Sequence, residues 1–355
     1  MPPRKASSSQ SNSLPLPVDI LSLVFSILQA TDRHSLTTCC RVSHSFFDIA
    51  GPILYRHISV SPNNLLDSRK GFSPDKFTSN GKEKSNTRKK KLLKTAEVVI
   101  MDDHHASWCG NKSFKYPKLD TLVLFLCVNG LGPVLHSNDI LEKQCSLVKC
   151  LNPRKLVLQN CTLNNIQGEM LGIPYKIFQT VEQITYITGL SQVKPNSSWG
   201  GLPKENKLKK IVWIFDPSLP TMRWKPGEIG IFGRENRDST LDFMALMPLS
   251  GFLRNLNDLN PIPPVYIVNS GWLDHKYQLK EGIIQQGYRR GMHLNQNTKQ
   301  WEQDTDPEDI QKEQADEQKS LQIFNSITFL TMKEYLNNHD WKGEINSAIA
   351  KLWLA

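Results

Sequence analysis

The residues with the most evident chemistry are the carboxylates and imidazoles of residues 102–105, Asp-Asp-His-His, which are followed by Cys109. These groups are able to ligate zinc and other transition metals. A zinc site needs a further Cys or His pair at a defined spacing, however, and Cys145, Cys150 and Cys161 occupy apolar or turn positions instead. We therefore predict structural or surface roles for these residues, with no bound metal and no cofactor.

Catalytic motifs are missing from the sequence. It contains no Gly-x-Ser-x-Gly, no glycine-rich phosphate loop that ends in Lys-Ser/Thr, and no His-Glu-x-x-His. Gly227, Gly230 and Gly233 are regularly spaced, but they lack the strand-to-helix context of a dinucleotide site, so we predict a loop there. We expect a protein that is not an enzyme.

The formal net charge of the 355-residue chain is +9, and all of it lies in residues 1–94. That part holds fifteen Lys or Arg against six Asp or Glu, whereas the remainder holds twenty-eight of each. Lys82–Lys94 alone has seven basic residues and one acidic residue. This run predicts a solvated loop, or alternatively a nuclear localisation signal or a phosphate contact. Because the rest is neutral, nucleic acid is not an expected partner.

Two helical patterns occupy the region before residue 57. The first helix carries an apolar stripe made of Ile20, Leu21, Val24, Phe25 and Leu28. The second is predicted to run from an N-cap at Asp32 to a stop at Gly51-Pro52. Its inner face consists of Leu36, Cys39, Cys40, Phe46, Phe47 and Ala50. Residues 57–60 then predict a first strand.

Beyond residue 92 the pattern changes to short, spaced strands. Leu119-x-x-Leu122-x-Leu124-x-x-Cys127 has the form of a leucine-rich repeat, and residues 153–163 match it without the first leucine. Weaker copies begin at 181, 208, 262 and 324, and an irregular first copy lies at 97–100. The last two intervals are close to twice the repeat length, which predicts one unrecognised repeat in each. Such units must stack as a solenoid, because none buries its apolar face alone.

Helices are predicted to cover these strands. Asp306-Pro307-Glu308-Asp309 has the N-cap, the proline and the acidic residues of a helix start. Residues 345–353 predict an amphipathic helix suited to capping the open end of a solenoid. Four aromatic residues predict either a recognition surface or, more commonly, core packing: Trp213, Phe215, Trp224 and Phe232.

The chain has seven cysteines, with Cys39 and Cys40 adjacent, and its first residues lack the apolar region of a secretory signal. These features favour a reduced protein of the cytoplasm or the nucleus. No apolar run reaches the ~20 residues that cross a bilayer, so we expect no membrane association. Residues 1–13 are rich in Ser and Pro and are predicted to be disordered.

Residues 16–50 resemble an F-box. The resemblance rests on the run Leu-Pro-Val-Asp-Ile-Leu-Ser-Leu-Val-Phe-Ser-Ile-Leu from Leu16, then on Asp32 and on the stretch from Ser35 to Phe46. Residues 52–57 are similar to the segment that follows the F-box in many fungal members, which often continue into irregular leucine-rich repeats. Asp19 replaces the usual Glu, and Phe46-Phe47 lies where the family often has Trp, but neither change removes an apolar anchor.

The resemblance implies docking rather than catalysis. F-box modules bind a Skp-type adaptor, which connects them to a cullin scaffold and a RING protein, so the chain is expected to be the substrate-recognition subunit of such a ubiquitin ligase. An unidentified protein substrate would bind the repeats. A scaffold that uses the repeat surface outside a ligase is the alternative. By position, the candidate adaptor-binding residues are Leu16, Pro17, Ile20, Leu21, Val24, Phe25, Leu28, Leu36, Val42 and Phe46.

The expected fold class is α/β, with a three-helix F-box followed by an irregular leucine-rich-repeat-like solenoid. The predicted organisation is an F-box module at 14–60, a basic linker or loop at 61–91 and the solenoid at 92–355. Some of the candidate apolar residues must form the core of the small module itself, and the sequence does not divide them.

Overall fold

A computed structural model gives the fold of the chain. It describes residues 16–60, 91–102, 104, 116–129, 132–135, 145–159, 173–188, 207–215, 256, 259–269, 292–294, 301–303, 307–345 and 347–354.

Three helices form the N-terminal module: α1 (Val18–Thr31), α2 (Arg33–Val42) and α3 (His44–Leu54). Asp32 caps α2 as predicted, since its side chain accepts a hydrogen bond from the backbone N–H of Ser35 at 3.1 Å. The core of the module consists of the buried residues Leu21, Phe25, Leu36, Ala50 and Ile53.

The second predicted helix is in fact two helices, which separate at Ser43. This residue has an extended backbone, and its hydroxyl accepts a hydrogen bond from the N–H of Phe46 at 3.1 Å, which starts α3. The predicted stop at Gly51-Pro52 is wrong, because both residues lie inside α3. Pro52 removes one N–H from the helix, and the helix ends with the N–H of Tyr55 donating to the carbonyl of Gly51 at 3.0 Å.

Eight strands form one parallel sheet, which confirms the expected α/β class. Their order is β1-β2-β3-β6-β7-β8-β9-β12, so each strand pairs with the next sheet strand along the sequence, without the reversal of a doubly wound fold. The strands are β1 (His57–Val60), β2 (Val98–Met101), β3 (Thr121–Phe125), β6 (Lys155–Gln159), β7 (Gln183–Thr188), β8 (Lys210–Phe215), β9 (Val265–Val268) and β12 (Ile327–Leu330). Two antiparallel hairpins pair β4 (Cys127–Asn129) with β5 (Gly132–Val134) and β10 (Met292–Leu294) with β11 (Trp301–Gln303).

The sheet strands lie where the repeats were predicted. Strand β3 begins two residues after the repeat start at 119, and β12 begins three residues after the start at 324. The Leu-x-Leu pairs align in register, since Leu122 pairs with Leu156 and Leu124 pairs with Leu158. The six predicted repeat starts therefore mark six consecutive strands of the sheet.

The two unrecognised repeats that the long intervals predicted are wrong. Strand β8 pairs directly with β9 through Ile211 and Val265, and β9 pairs directly with β12 through Val265 and Ile327. The long intervals are therefore connections between neighbouring strands. Cys127 also differs from its predicted turn, because it begins β4.

Three of the described helices lie between strands: α4 (Ser146–Lys149), a 3₁₀ helix (Tyr175–Gln179) and α5 (Pro307–Ser326). Two more, α6 (Met332–Asn338) and α7 (Ser347–Leu354), follow the last strand, β12. Helix α5 begins at Pro307, as the predicted helix start requires. None of the helices within the described ranges is long and apolar enough to span a membrane.

The two faces of the sheet are covered by different elements. The first face, which carries Leu122, Leu156 and Ile184, packs against Leu147 of α4 and Phe178 of the 3₁₀ helix. The second face carries the alternate residues of the same strands, because side chains alternate along a strand. There, Val98, Val123, Val157 and Val212 share a core with Met332, Leu336, Ile345 and Ala350 from the segment after β12. Helix α7 thus packs on this second face.

Candidate functional site

Helix α1 divides its apolar side chains between core and solvent. Ile20 is 46% exposed, whereas the adjacent Leu21 is 5% exposed, because successive residues point in different directions around a helix. Five of the predicted adaptor-binding residues lie on the exposed side: Leu16, Pro17, Ile20 and Val24, together with Val42 at the end of α2. These residues are available to a partner.

The other five predicted residues support the module from inside. Leu21, Phe25 and Leu36 are buried in its core, and Leu28 and Phe46 are partly buried against it. The rings of Phe25 and Phe46 meet edge to face, with centroids 5.5 Å apart. These five residues therefore hold the helices together.

Sequence reasoning missed three further exposed apolar residues of α1: Val18, Leu23 and Ile27. Leu23 and Ile27 extend the outward stripe by helical spacing, at three and seven residues from Ile20. The signal was present in the sequence, because α1 is apolar around most of its circumference. A helix of that kind needs a second apolar surface to cover it.

Hydrogen bonds join α1 to α3, and α2 to the start of the sheet. Gln29 donates from Nε2 to the carbonyl of Ile53 at 2.7 Å, and Arg33 donates from Nη2 to the carbonyl of His57 at 3.0 Å. His57 is the first residue of β1, the edge strand that pairs with β2. The first bond thus ties α1 to α3, which leads into β1, and the second ties α2 to β1 itself.

A second arrangement of functional interest is a row of polar residues on the second face of the sheet. Neighbouring strands begin with Thr121, Lys155, Gln183 and Lys210, which are aligned in register, and Thr185 lies two residues beyond Gln183. Thr121, Lys155, Gln183 and Thr185 are buried. None of these residues was among the predicted site residues. The signal for the row is a polar residue directly before the apolar pair in each of four predicted repeats.

The chain after β12 crosses this face toward the opposite edge of the sheet. Thr331 starts α6 with a capping box, in which its hydroxyl accepts from the N–H of Glu334 and the Glu334 carboxylate accepts from the N–H of Thr331. His339 then lies over Tyr266 of β9, with ring centroids 4.8 Å apart. Gly343 lies near the first residues of β2 and β3, where an added Cβ would be 3.1 Å from Val98 Cγ2.

Glu344 is the most deeply buried acid of the described residues and is surrounded by donors. Its Oε1 accepts a hydrogen bond from Gln183 Nε2 at 2.7 Å. Its Oε2 accepts from the Thr185 hydroxyl at 3.1 Å and from the Tyr335 hydroxyl at 2.6 Å. Lys155 Nζ lies 3.7 Å from Oε1. We call these four donor residues, Lys155, Gln183, Thr185 and Tyr335, the carboxylate pocket.

Burial and hydrogen bonding oppose each other in this pocket. Loss of water raises the pKa of Glu344, while the Tyr335 hydroxyl and the nearby Lys155 ammonium act in the lowering direction. The pKa of the Tyr335 hydroxyl is raised, first by burial and then by the adjacent Glu344 charge. An unpaired carboxylate at this depth would be costly, so its four donors are what make the buried position tolerable.

Two more charged residues adjoin the pocket. Asp340 accepts a hydrogen bond from Lys155 Nζ at 2.8 Å, and this bond is the main cause that lowers the pKa of Asp340. Lys210 Nζ lies 5.2 Å from the ring centroid of Tyr266 and 5.3 Å from that of Tyr335. Burial lowers the pKa of Lys210, and the charge of Glu344 opposes that shift. The positive charges of Lys155 and Lys210 thus lie near two carboxylates, those of Asp340 and Glu344, from the segment after β12.

The metal-capable residues of the sequence do not come together in the described part of the chain. His104 is buried, with Nδ1 2.9 Å from the carbonyl oxygen of Asp102 and Nε2 3.5 Å from Sγ of Cys145. Among the described residues, no group of three or more His, Cys, Asp and Glu is placed to hold a metal. Asp103, His105, Cys109 and Cys161 lie outside the described residues.

The aromatic candidates are core residues where the structure describes them. Trp213 and Phe215 are buried on the first face, with ring centroids 6.0 Å apart. Trp224 and Phe232 lie outside the described residues, as do the three regularly spaced glycines and most of the basic run 82–94. Of that run, Lys91 and Lys94 are exposed, and Leu92 and Leu93 are buried.

Comparison with known proteins identifies the helical module. Residues 14–61 match the F-box-like family model, so the N-terminal part of the chain contains an F-box-like domain. The match begins and ends within one residue of the module predicted at 14–60. No curated protein and no solved structure is significantly similar to the chain.

Proposed function

We propose that the chain is the substrate-recognition subunit of an SCF-type cullin-RING ubiquitin ligase and that it has no catalytic step of its own. The observation that carries this proposal is the exposed apolar stripe of α1, which lies within the residues that match the F-box-like model. Domains of this kind bind Skp-type adaptors, and an apolar helix face of this length suits a groove on a partner.

The parallel sheet and its helices would then form the substrate receptor. We propose that it is an irregular leucine-rich-repeat-like solenoid. Consecutive strands pair in chain order, and each repeats an apolar pair on the same face. The ligase needs only to hold a substrate lysine near a charged conjugating enzyme, because proximity raises the effective concentration of the two reactants.

We also propose that the protein acts in the cytoplasm or the nucleus. The four cysteines for which the structure describes a thiol, Cys39, Cys40, Cys145 and Cys150, form no disulfide with one another. This supports a reducing compartment, since disulfides persist mainly in oxidising ones. Fluorescence microscopy of the tagged chain tests the assignment, and retention in the secretory pathway would contradict it.

The adaptor interface is tested by replacing Leu23 with Ser in the full chain. Leu23 is 60% exposed at the centre of the stripe, so the change should spare the fold and weaken binding to a purified Skp-type adaptor about tenfold or more. Isothermal titration calorimetry measures the affinity. The predicted pair Leu16→Ala with Pro17→Ala should act in the same direction.

The matched control is Leu352→Ser, which changes a residue that is 63% exposed on α7, outside the stripe. We expect this variant to bind the adaptor as the parent chain does. Equal adaptor affinity for Leu23→Ser and Leu352→Ser would contradict the proposed interface. Absence of adaptor binding by the parent chain would remove the ligase assignment itself.

A further inference from the structure

We propose that the outer edge of β12 is a dimerisation surface, which pairs with β12 of a second copy of this chain in an antiparallel register centred on Thr328. Strand β12 is the last of the eight strands, and β9 is its one neighbour in the sheet as far as the described residues go. The edge of a sheet offers a row of main-chain donors and acceptors to another chain. This inference goes beyond the proposed function and does not depend on it.

The two edges of the sheet differ in how they are protected. At β1, the carbonyl of His57 accepts a hydrogen bond at 3.0 Å from Arg33 of α2, so the helical module occupies part of that edge. Strand β12 has the sequence Ile-Thr-Phe-Leu, which lacks the charged residues and prolines that commonly protect an edge. Thr328 is exposed, and the other three residues of the strand are partly exposed. The edge at β12 is therefore the one suited to strand addition.

The pairing with β9 determines which main-chain groups of β12 point outward. The carbonyl of Leu330 accepts a hydrogen bond at 3.0 Å from the N–H of Asn269, the residue after β9, so Leu330 directs its main-chain groups toward β9. This direction alternates along a strand. Thr328 therefore also faces β9, whereas Ile327 and Phe329 direct their N–H and carbonyl groups toward the outer edge. An added strand would bond to these two residues.

The side chains make β12 complementary to a second copy of itself. In an antiparallel pair centred on Thr328, Ile327 of each copy lies opposite Phe329 of the other, and the two Thr328 residues face each other. Ile327 and Phe329 both pack on the first face, so their side chains meet on one side of the joined sheet. Aromatic with β-branched and threonine with threonine are both favourable cross-strand pairs.

The hydrogen-bonding pattern agrees with this register. Opposed residues of an antiparallel pair alternate between bonded and non-bonded pairs. Here the bonded pairs join Ile327 to Phe329, whose main-chain groups point outward, and the Thr328 pair between them is the non-bonded one. A register centred on Phe329 would instead set the Thr328 hydroxyl against Leu330 in both halves. Because the strand is short, we expect a weak dimer, with a dissociation constant of about 1–100 μM.

The dimer would keep both helical modules accessible. Helix α3 ends at Leu54 and β1 begins at His57, so the module adjoins the edge opposite to β12. Two copies joined at β12 would form one sheet with eight strands from each copy. At the usual strand spacing, the two β1 strands would lie up to ~70 Å apart. We therefore expect dimerisation to leave the affinity for the adaptor unchanged.

Sedimentation velocity of the full chain tests the association between about 1 and 200 μM, a range that includes the expected dissociation constant. We expect the sedimentation coefficient to rise with concentration toward that of a dimer. Thr328→Lys places two like charges directly opposite each other and should weaken the association about tenfold or more. Thr328 is exposed, so the variant should fold as the parent chain does, which circular dichroism checks.

The matched control for charge is Gln322→Lys, which adds the same charge at an exposed position of α5, outside the strand. This variant should associate as the parent chain does. The affinity for a purified Skp-type adaptor is measured on the same samples by calorimetry. We expect equal adaptor affinity for the parent chain, Thr328→Lys and Gln322→Lys.

A cysteine at the centre of the pair tests the register itself. The Cα atoms of a non-bonded pair lie ~4.5 Å apart, within the range that a disulfide spans. Thr328→Cys should therefore form a disulfide-linked dimer under mild oxidation, above the level of the parent chain with its native cysteines. Non-reducing electrophoresis measures the dimer. Lys333→Cys, exposed on α6, is the matched control and should not exceed the parent level.

Dimers that Thr328→Lys weakens and Thr328→Cys links covalently support the proposal. It is overturned by a chain that stays monomeric over the whole range, by dimers that persist in Thr328→Lys, or by Thr328→Cys linking no better than Lys333→Cys. A monomeric parent chain that binds the adaptor refutes this inference alone. A dimer that binds no adaptor refutes the ligase assignment alone.

Discussion

Gly343 shows how a single residue permits the crossing of the second face. Its φ of +82° lies in the left-handed region, and the backbone there passes close to Val98 and Thr121. Both conditions make any side chain at this position energetically costly, so glycine is favoured. The adjacent Glu344 reaches its pocket because this turn brings the chain down to the sheet, with the N–H of Glu344 bonded to the carbonyl of Trp341 at 2.9 Å.

Gly343→Ala should therefore lower the free energy of unfolding. The left-handed backbone alone costs an L-residue about 1–2 kcal/mol, and the crowded Cβ adds to that cost. Urea denaturation followed by circular dichroism measures the change. Lys342→Ala, at the exposed neighbouring position, is the control and should have little effect. A Gly343→Ala protein as stable as the parent would show that this turn rearranges freely.

At the scale of elements, Ser43 decides where one helix becomes two. Its hydroxyl satisfies the N–H of Phe46 at the start of α3, and its extended backbone turns the chain between α2 and α3. The turn allows Phe46 to meet Phe25 of α1. A continuous helix over the same residues would carry α3 away from α1, so the cap shapes the module that presents the exposed stripe.

Ser43→Ala should reduce the stability of the helical module by about 1 kcal/mol, the usual cost of losing an N-cap. Ser26→Ala is the matched control, because the Ser26 hydroxyl bonds only to the carbonyl of Ser22 within α1 among the contacts described. Thermal denaturation of both variants provides the comparison. Equal melting temperatures for the two variants would argue that another contact fixes the break between α2 and α3.

At the scale of the molecule, the segment after β12 packs on the second face of the sheet and places His339 among charged and aromatic groups. His339 stacks on Tyr335 at 5.1 Å and lies against Tyr266, and its Nδ1 is 3.5 Å from Lys210 Nζ. Burial, and then the Lys210 charge, lower the pKa of His339 from its ordinary value of 6.5. The native state therefore favours the neutral imidazole.

This preference makes stability fall in acid. In the unfolded chain His339 binds a proton near pH 6.5, whereas in the native chain it binds one only at lower pH. The contribution of neutral His339 to the free energy of unfolding is therefore complete above pH 6.5. It is lost as the pH falls through the native pKa, because the unfolded state then binds the proton more readily. The pH dependence of the unfolding free energy, measured by denaturant titration between pH 7.5 and 5, should be shallower in His339→Gln than in the parent. An unchanged pH dependence would contradict this role.

Charged pairs along the amino edge of the sheet are another whole-molecule feature. Each of the six residues involved stands one position before a strand and pairs with the equivalent residue of the adjacent strand. The pairs are Arg56 with Glu97 at 3.3 Å, Arg154 with Asp120 at 2.8 Å, and Lys209 with Glu182 at 2.9 Å. Exposed pairs of this kind contribute little stability. They do oppose a shift in strand pairing, because such a shift would separate the charges.

Local sequence patterns determined the elements of this protein. Two Leu-x-Leu pairs and four weaker copies of the same apolar pattern located six parallel strands, Asp32 located the start of α2, and Pro307 located the start of α5. These features depend on short-range periodicity and capping, which act over a few neighbouring residues. The same patterns wrongly predicted a helix stop at Gly51-Pro52. One proline near the end of a helix costs a single hydrogen bond, and packing compensates for that loss.

Tertiary structure decided what depends on residues distant in sequence. The periodicity of α1 identified its apolar residues, but only packing against α2 and α3 divided Ile20 from Leu21. Likewise, nothing local links Lys155 and Gln183 to Glu344, which follows them by more than 150 residues. Such a buried charge is stable only when a complete set of donors converges on it, and the folded sheet is what brings those donors together.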